Sequence, residues 1–152
     1  MHVTAKADYA VRAVVELANA SPSSPRKVDE VARAQDIPVA FLVSILAQLR
    51  SAGLVRSQRG TVSGYWLAKP ANELTLATVV RAVEGPLVGV RGQRPEEVSY
   101  EGAAEPLQKV WLALRANLRK VLEHVTVADV AAGKLPKQIM ALSREEDAWV
   151  TR

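Results

Sequence analysis

Residues 39–67, VAFLVSILAQLRSAGLVRSQRGTVSGYWL, constrain the fold of this chain more than any other stretch. Leu42, Ile45, Leu46 and Leu49 recur at i, i+3, i+4 and i+7, the single apolar face of an amphipathic helix. The opposite face, Ala40, Val43, Ser44, Ala47, Gln48 and Ser51, is small or polar. Gly53 is a natural helix stop. Two short strands follow, Leu54–Gln58 and Tyr65–Leu67, around the turn Arg59-Gly60-Thr61-Val62-Ser63-Gly64, and Pro70 closes the unit. A helix, a tight stop and a basic hairpin in this order describe a helix-turn-helix ending in a β-wing. The fold class expected is therefore mainly α with a small β-wing.

The elements upstream complete the motif. Thr4 can cap a first helix running to about Ala20, with Ala10, Val14, Leu17 and Ala18 on one stripe. SPSSP (21–25) is a loop. A short helix, about Val28–Gln35, turns Val28, Val31 and Ala32 inward, Asp36 starts the turn, and Pro38 suits the first position of the third helix. Downstream, Thr75 caps a helix through about Glu84 with Leu76, Val79, Val80 and Val83 inward.

Residues 85–104 show no period and read as a long loop, of a length that is usually functional or disordered. After it, Leu107, Trp111, Leu114, Leu118, Val121 and Val125 recur at alternating steps of four and three, a heptad seam on a helix from about Glu105 to Glu123. Thr126 and Asp129 form a capping-box variant opening a short helix to Ala132. The organisation expected is thus a winged helix-turn-helix domain over 1–84, with the helix-turn-helix about 28–51 and the wing about 54–67. The loop 85–104 comes next, then a dimerisation helix with a short docking helix over 105–132, and a polar, mobile tail over 133–152.

Charge supports a polyanionic partner. Residues 1–70 hold nine Lys and Arg against five Asp and Glu, and residues 71–152 hold eleven of each sign, so the whole net charge of +4 lies on the first segment. A concentrated basic face is the electrostatic footprint of phosphate binding. Small side chains on the outer face of the third helix let its backbone approach base edges in a major groove. Ala40, Val43, Ser44 and Gln48 are the candidate base-facing residues; a plain solvated face is the competing reading. Arg56, Arg59, Gly60, Thr61 and Ser63 form a basic wing suited to phosphates or a narrow minor groove. Lys6, at the first helix start, is a further candidate phosphate contact.

The seam Leu107, Trp111, Leu114, Leu118, Val121 and Val125 would leave much apolar surface exposed if unpartnered, which points to a homodimer. Two-fold symmetry matches a palindromic double-stranded DNA site. Trp66 and Trp111 are candidate walls of a pocket for an organic effector, although core packing is the commoner explanation of tryptophans.

Other classes find little support. There is no cysteine, which excludes disulfides, zinc–thiolate sites and thiol switches. His2 is terminal, His124 sits at a helix end, and no nucleophile elbow, P-loop or GxGxxG occurs, so an enzyme is not expected. Glu96, Glu97, Glu101 and Glu105 are read as solvated acids, with no metal. No run reaches the ~20 apolar residues of a membrane span, and the opening MHVTAKADYAVRAVV reads as a helix rather than a leader, so a cytoplasmic location is expected.

Four stretches together resemble a known family: LVSILAQLRSAGLVRSQRGTVSGYWLAKP, LTLATVVRAVEGPL, the opening TAKADYAVRAVVELA and the late HVTVADV. They are similar, over about residues 1–132, to the Rrf-type winged-helix regulators, which include IscR, NsrR and CymR. The resemblance implies a dimeric transcriptional regulator with an N-terminal winged helix-turn-helix and a long crossing dimer helix, and the function expected is that of a bacterial repressor. Members that carry an iron–sulfur cluster place three cysteines in the loop after the EGPL-like run. Here that loop has none, so a cysteine-ligated cluster is excluded and no cofactor is expected. Asp8 stands where some members supply a non-cysteine ligand. The usual PGGG of the wing is Thr61-Val62-Ser63-Gly64, and a base-reading acid of some recognition helices is Val43. The alternative to a sequence-specific regulator is a winged-helix adaptor between proteins, or a nonspecific DNA-binding protein.

Overall fold

Thr4 fixes where the first helix begins. Its backbone is extended and its hydroxyl accepts the Ala7 N–H at 3.0 Å, satisfying one of the donors a helix start leaves open. The computed structural model describes residues 1–151, and helix α1 runs over Ala5–Glu16. It ends about four residues before the Ala20 expected from the apolar stripe. Ala18 and Ala20 bond carbonyls three residues back, at 3.2 and 3.0 Å, so the chain tightens out of the α-helix ahead of the Ser/Pro loop.

Helix α2 (Val28–Gln35) and helix α3 (Val39–Ser51) meet through a sharp turn. Glu30 accepts the Lys27 N–H at the start of α2 (3.3 Å), and Asp36 ends it in the left-handed conformation (φ 50°). Short polar side chains tolerate that region better than bulky ones. Ile37, 4% exposed, donates its N–H to Ala32 and anchors the turn in the core. The four apolar residues of α3, Leu42, Ile45, Leu46 and Leu49, are all buried. Val31 and Ala32 of α2 are buried too, whereas Val28 is half-buried.

Strands β1 (Val55–Gln58) and β2 (Gly64–Leu67) form an antiparallel hairpin with Val55 opposite Leu67 and Gln58 opposite Gly64. The hairpin is tied to the segment before α2: Arg26 and Tyr65 exchange backbone bonds of 2.9 and 2.8 Å. Gly64 (φ 146°) makes that approach possible, because a Cβ there would lie 2.6 Å from the Arg26 carbonyl oxygen.

Helix α4 (Leu76–Glu84) is capped by Thr75, as its sequence indicates, and buries Ala77, Val79 and Val83. Leu76 and Val80 are half-buried instead; they face a groove beside α1. Helix α6 (Val127–Ala131) opens with the Thr126–Asp129 capping box. Backbone bonds from Leu76 to Val125 (2.9 Å) and from Val127 to Leu74 (2.8 Å) fasten it to the start of α4. The core is thus contributed by α1, α2, α3, α4, the first wing strand and Val127.

Residues 85–104 are folded. Val90 and Gln93 exchange backbone bonds of 2.9 and 3.0 Å around Arg91 and Gly92, both at positive φ, which is the geometry of a tight hairpin turn. Val88 and Val98 are buried beneath it. Helix α5 (Leu107–Leu122) follows, and the expected polar tail contains helix α7 (Lys137–Ser143) and a short 3₁₀ turn over Glu146–Trp149.

Candidate nucleic-acid interface

Once the apolar face of α3 is buried, its other face has no alternative to solvent or a partner. Ala40, Val43, Ser44 and Ala47 are exposed and Gln48 is half-buried, so the five sit together along one side of α3. None is long, and the helix backbone can therefore come close to whatever lies against it. Phe41, 43% exposed, leans edge-on against Tyr9 of α1 with ring centroids 5.6 Å apart, bracing the start of the helix.

The wing is held at a defined angle to this face. Arg50, near the end of α3, donates to Ser57 Oγ of β1 at 3.1 Å. Gln58 donates its side-chain amide to the Val62 carbonyl across the loop tip and to the Pro22 carbonyl at 3.0 Å. These bonds stiffen a tip that lacks the usual run of glycines. Arg56, Arg59, Gly60 and Thr61 are exposed, and Ser63 is half-buried. Arg50, Arg56 and Lys69 line one shallow groove with Trp66, so the wing presents more positive charge than Arg56 and Arg59 alone. Arg50 and Lys69 were legible only as basic residues flanking the hairpin; the fold is what brings them beside Arg56.

Lys6 is half-buried in the first turn of α1. Its neighbours are committed elsewhere. The Thr4 hydroxyl also donates to the Glu84 carboxylate, and Arg12 is spent within the domain: it bonds the Gln35 carbonyl at 2.6 Å, pairs with Asp8 at 2.8 Å and lies over the Tyr9 ring. Asp8 is therefore the partner of Arg12 one turn on.

Helix α5 carries no buried residue in the chain described. Leu107, Trp111, Leu114, Leu118 and Val121 are half-buried, and Val110 is 54% exposed. Val125 departs from the seam: it lies beyond the helix end, is 3% exposed and is held inside its own subunit. It is unavailable to a partner, because its carbonyl accepts the Leu76 N–H at the start of α4 just before the chain enters α6, which packs on α1. Leu118 and Leu122 form one wall of an apolar groove whose other walls are Val11, Leu76, Val80 and Leu87. The two tryptophans do not share surroundings. Trp66 belongs to the wing groove, and Trp111 donates its indole N–H to the Tyr100 hydroxyl at 3.0 Å.

The donor set does not match a thiolate-held iron–sulfur cluster. The chain has no cysteine, and among the described residues no three His, Asp or Glu side chains gather as metal ligands. In the loop itself Glu96 pairs with Arg115 and Glu97 accepts the Arg94 N–H at 2.9 Å. No helix of the described residues is long and apolar enough to cross a membrane.

Residues 3–133 match the model of the Rrf2 family, whose description is "Iron-dependent Transcriptional regulator". A protein named as a helix-turn-helix-type transcriptional regulator of Mycobacterium tuberculosis is 48% identical over 143 residues, spanning 94% of this chain and 89% of its own length. Among solved structures, the chain is similar to CymR, described as the global cysteine regulator of Bacillus subtilis. The TM-score is 0.73 at 26% identity, over 88% of this chain and 98% of that one. It is also similar to IscR of T. potens, with a TM-score of 0.67 at 25% identity over 100% of this chain and 93% of that one.

Proposed function

Because the chain belongs to the Rrf2 family, and is a DNA-binding transcriptional regulator rather than an enzyme, we propose that it acts as a homodimeric repressor on a palindromic operator. The observation that carries this reading is the pairing of a short-side-chain face on α3 with a braced, basic wing. In this reading Ala40, Val43, Ser44 and Gln48 face base edges. Gln48 and Ser44 can hydrogen-bond a base, and Val43 suits a thymine methyl. Arg56, Arg59 and Lys6, with the backbone of Gly60, Thr61 and Ser63, set the register on phosphates.

Dimerisation through α5 is supported by a 16-residue helix with no buried side chain and an apolar seam of Leu107, Trp111, Leu114, Leu118 and Val121. A two-fold axis through that seam presents two recognition helices, which suits half-sites separated by about one turn of DNA, roughly 34 Å. Repression needs only occupancy of a site overlapping a promoter. The regulator works without an iron–sulfur cluster, in the cytoplasm where bacterial DNA lies, and any signal reaches it through a small organic ligand.

Selection of genomic DNA by the purified protein at physiological salt tests the reading. A recurring palindrome bound at about nanomolar affinity is expected. Binding that depends on salt but not on sequence would overturn it in favour of a nonspecific or adaptor role.

A further inference from the structure

Four guanidinium groups converge where the end of α4, the 85–104 loop and the middle of α5 meet. Arg81, Arg94, Arg115 and Arg119 line a cavity of about 360 Å³ whose floor is the apolar run Pro86-Leu87-Val88. Among the described residues, two carboxylates form ion pairs with them. Glu96 pairs with Arg115, and Glu123 pairs with Arg81 and, at 3.8 Å, with Arg119. Four guanidinium charges against two carboxylates leave an excess of two positive charges around one hollow. Like charges held together in a partly enclosed space repel, and a guanidinium presents its N–H donors in a rigid fork matched to carboxylate and phosphate oxygens.

We propose that this cavity binds a small organic anion carrying two or more carboxylate or phosphate groups, and that this anion is the regulator's effector. The size is that of a metabolite site, at the lower end of small-molecule pockets. The apolar floor suits a short carbon backbone, and the arginines take its charged ends bidentately. The effector role rests on the regulatory reading given above, and its route is visible. Arg81 belongs to α4 and is followed by Ala82, which lines one shallow groove with Ser44, Ala47 and Gln48 of the recognition helix. Arg115 and Arg119 belong to α5. An anion that displaces Glu123 from Arg81 and Arg119 changes how the helix behind the reading face is clamped to the dimer helix.

The test is calorimetric titration of the full chain with citrate and, separately, pyrophosphate, at ionic strength held constant with potassium chloride. Saturable binding of at least one is expected: citrate alone assigns a polycarboxylate, pyrophosphate alone a phosphate compound. R94Q combined with R119Q is expected to weaken binding by about tenfold or more, since charge-assisted bonds are lost. E96Q works in the opposite direction. It frees Arg115 and is expected to tighten binding by about threefold or more, which damage to the fold would not mimic.

No saturable binding of either anion overturns the proposal, as does binding that these variants leave unchanged. Loss of DNA affinity in R94Q/R119Q without anion binding overturns it in favour of a DNA contact. A second arm measures DNA affinity with and without saturating anion. A change in either direction supports the effector role, and no change overturns that role while leaving the site. If DNA is not bound specifically in either condition, the regulatory reading fails and the calorimetry still decides the site.

Discussion

Gly64→Ala is the substitution through which the geometry of the wing can be weighed. Gly64 sits at φ 146°, a region that side-chain-bearing residues rarely occupy, and its Cα faces the Arg26 backbone and the Pro25 ring. An added Cβ would stand 2.6 Å from the Arg26 carbonyl oxygen and 2.8 Å from its carbon, both rigid backbone atoms. Two responses are open. If the wing stays in place, the conformational strain costs about 1–3 kcal/mol, with the overlap added to it. If it swings away, the reciprocal bonds between Arg26 and Tyr65, at 2.9 and 2.8 Å, are lost. At about 1 kcal/mol each that route costs roughly 2 kcal/mol, more if Tyr65 also leaves its half-buried position.

The cheaper route limits the effect, so a loss of about 2–3 kcal/mol is expected. For a chain of this length that is a fall in Tm of roughly 5–10 °C. Urea denaturation followed by circular dichroism reads the stability directly, and DNA affinity read on the same variant separates the two routes. A wing that swings away should lose the proposed phosphate contacts, whereas a strained wing in place should keep them. A change below about 0.5 kcal/mol, within the range of ordinary surface substitutions, would refute the argument that the Gly64–Arg26 approach requires glycine.

Arg59→Ala removes one expected phosphate contact per protomer. It should weaken binding to all DNA sequences alike and reduce the slope of log affinity against log salt by about 0.9 per protomer, so that an unchanged slope removes Arg59 from the interface. Leu114→Glu with Leu118→Glu places charges in the α5 seam and should yield monomers by analytical ultracentrifugation; persistent dimers would move the interface elsewhere. Leu46→Ala empties a position that is 0% exposed between α3 and the core, and should cost about 2–5 kcal/mol in urea denaturation.

The acid side of the stability curve follows from Glu96 and Glu123. A backbone N–H and then the Arg115 guanidinium hold the Glu96 carboxyl below its ordinary value of 4.5, and the hydrogen bond from Arg81 does the same for Glu123. A depressed carboxyl contributes stability above its ordinary pKa and loses it as pH falls through the folded-state value. E96Q and E123Q should therefore differ most from the parent near neutral pH and approach it as pH falls below the ordinary carboxyl value of 4.5, with a small amplitude because both pairs face solvent. A gap in Tm that does not narrow as pH falls below 4.5 would contradict this.

Much of the architecture was legible because local rules and tertiary needs agree. Four leucine and isoleucine residues at helical spacing between Pro38 and Gly53 admit one amphipathic helix, and Thr4, Thr75 and Thr126 start helices wherever their hydroxyls can accept a backbone N–H. The small and polar residues opposite that stripe, and the turn after Gln58, then marked the exposed side of α3 and the hairpin. Those judgements depend on neighbours within about four residues, which is what a sequence displays.

What the tertiary structure decided involves groups far apart in the chain. Periodicity carried Val125 into the heptad seam, but its backbone pairs with Leu76 some fifty positions earlier, and burial follows that pairing. Residues 85–104 lack a period, yet Val88 and Val98 are buried and Gln108 of α5 donates to the Val98 carbonyl, so the loop has a shape of its own. Arg50, Arg56 and Lys69 become one basic surface only when the hairpin folds back on α3. Arg81, Arg94, Arg115 and Arg119 are unremarkable in a balanced half of the sequence, eleven charges of each sign. They become a cluster because α4, the loop and α5 converge, since electrostatic energy depends on distance in space and not on separation along the chain.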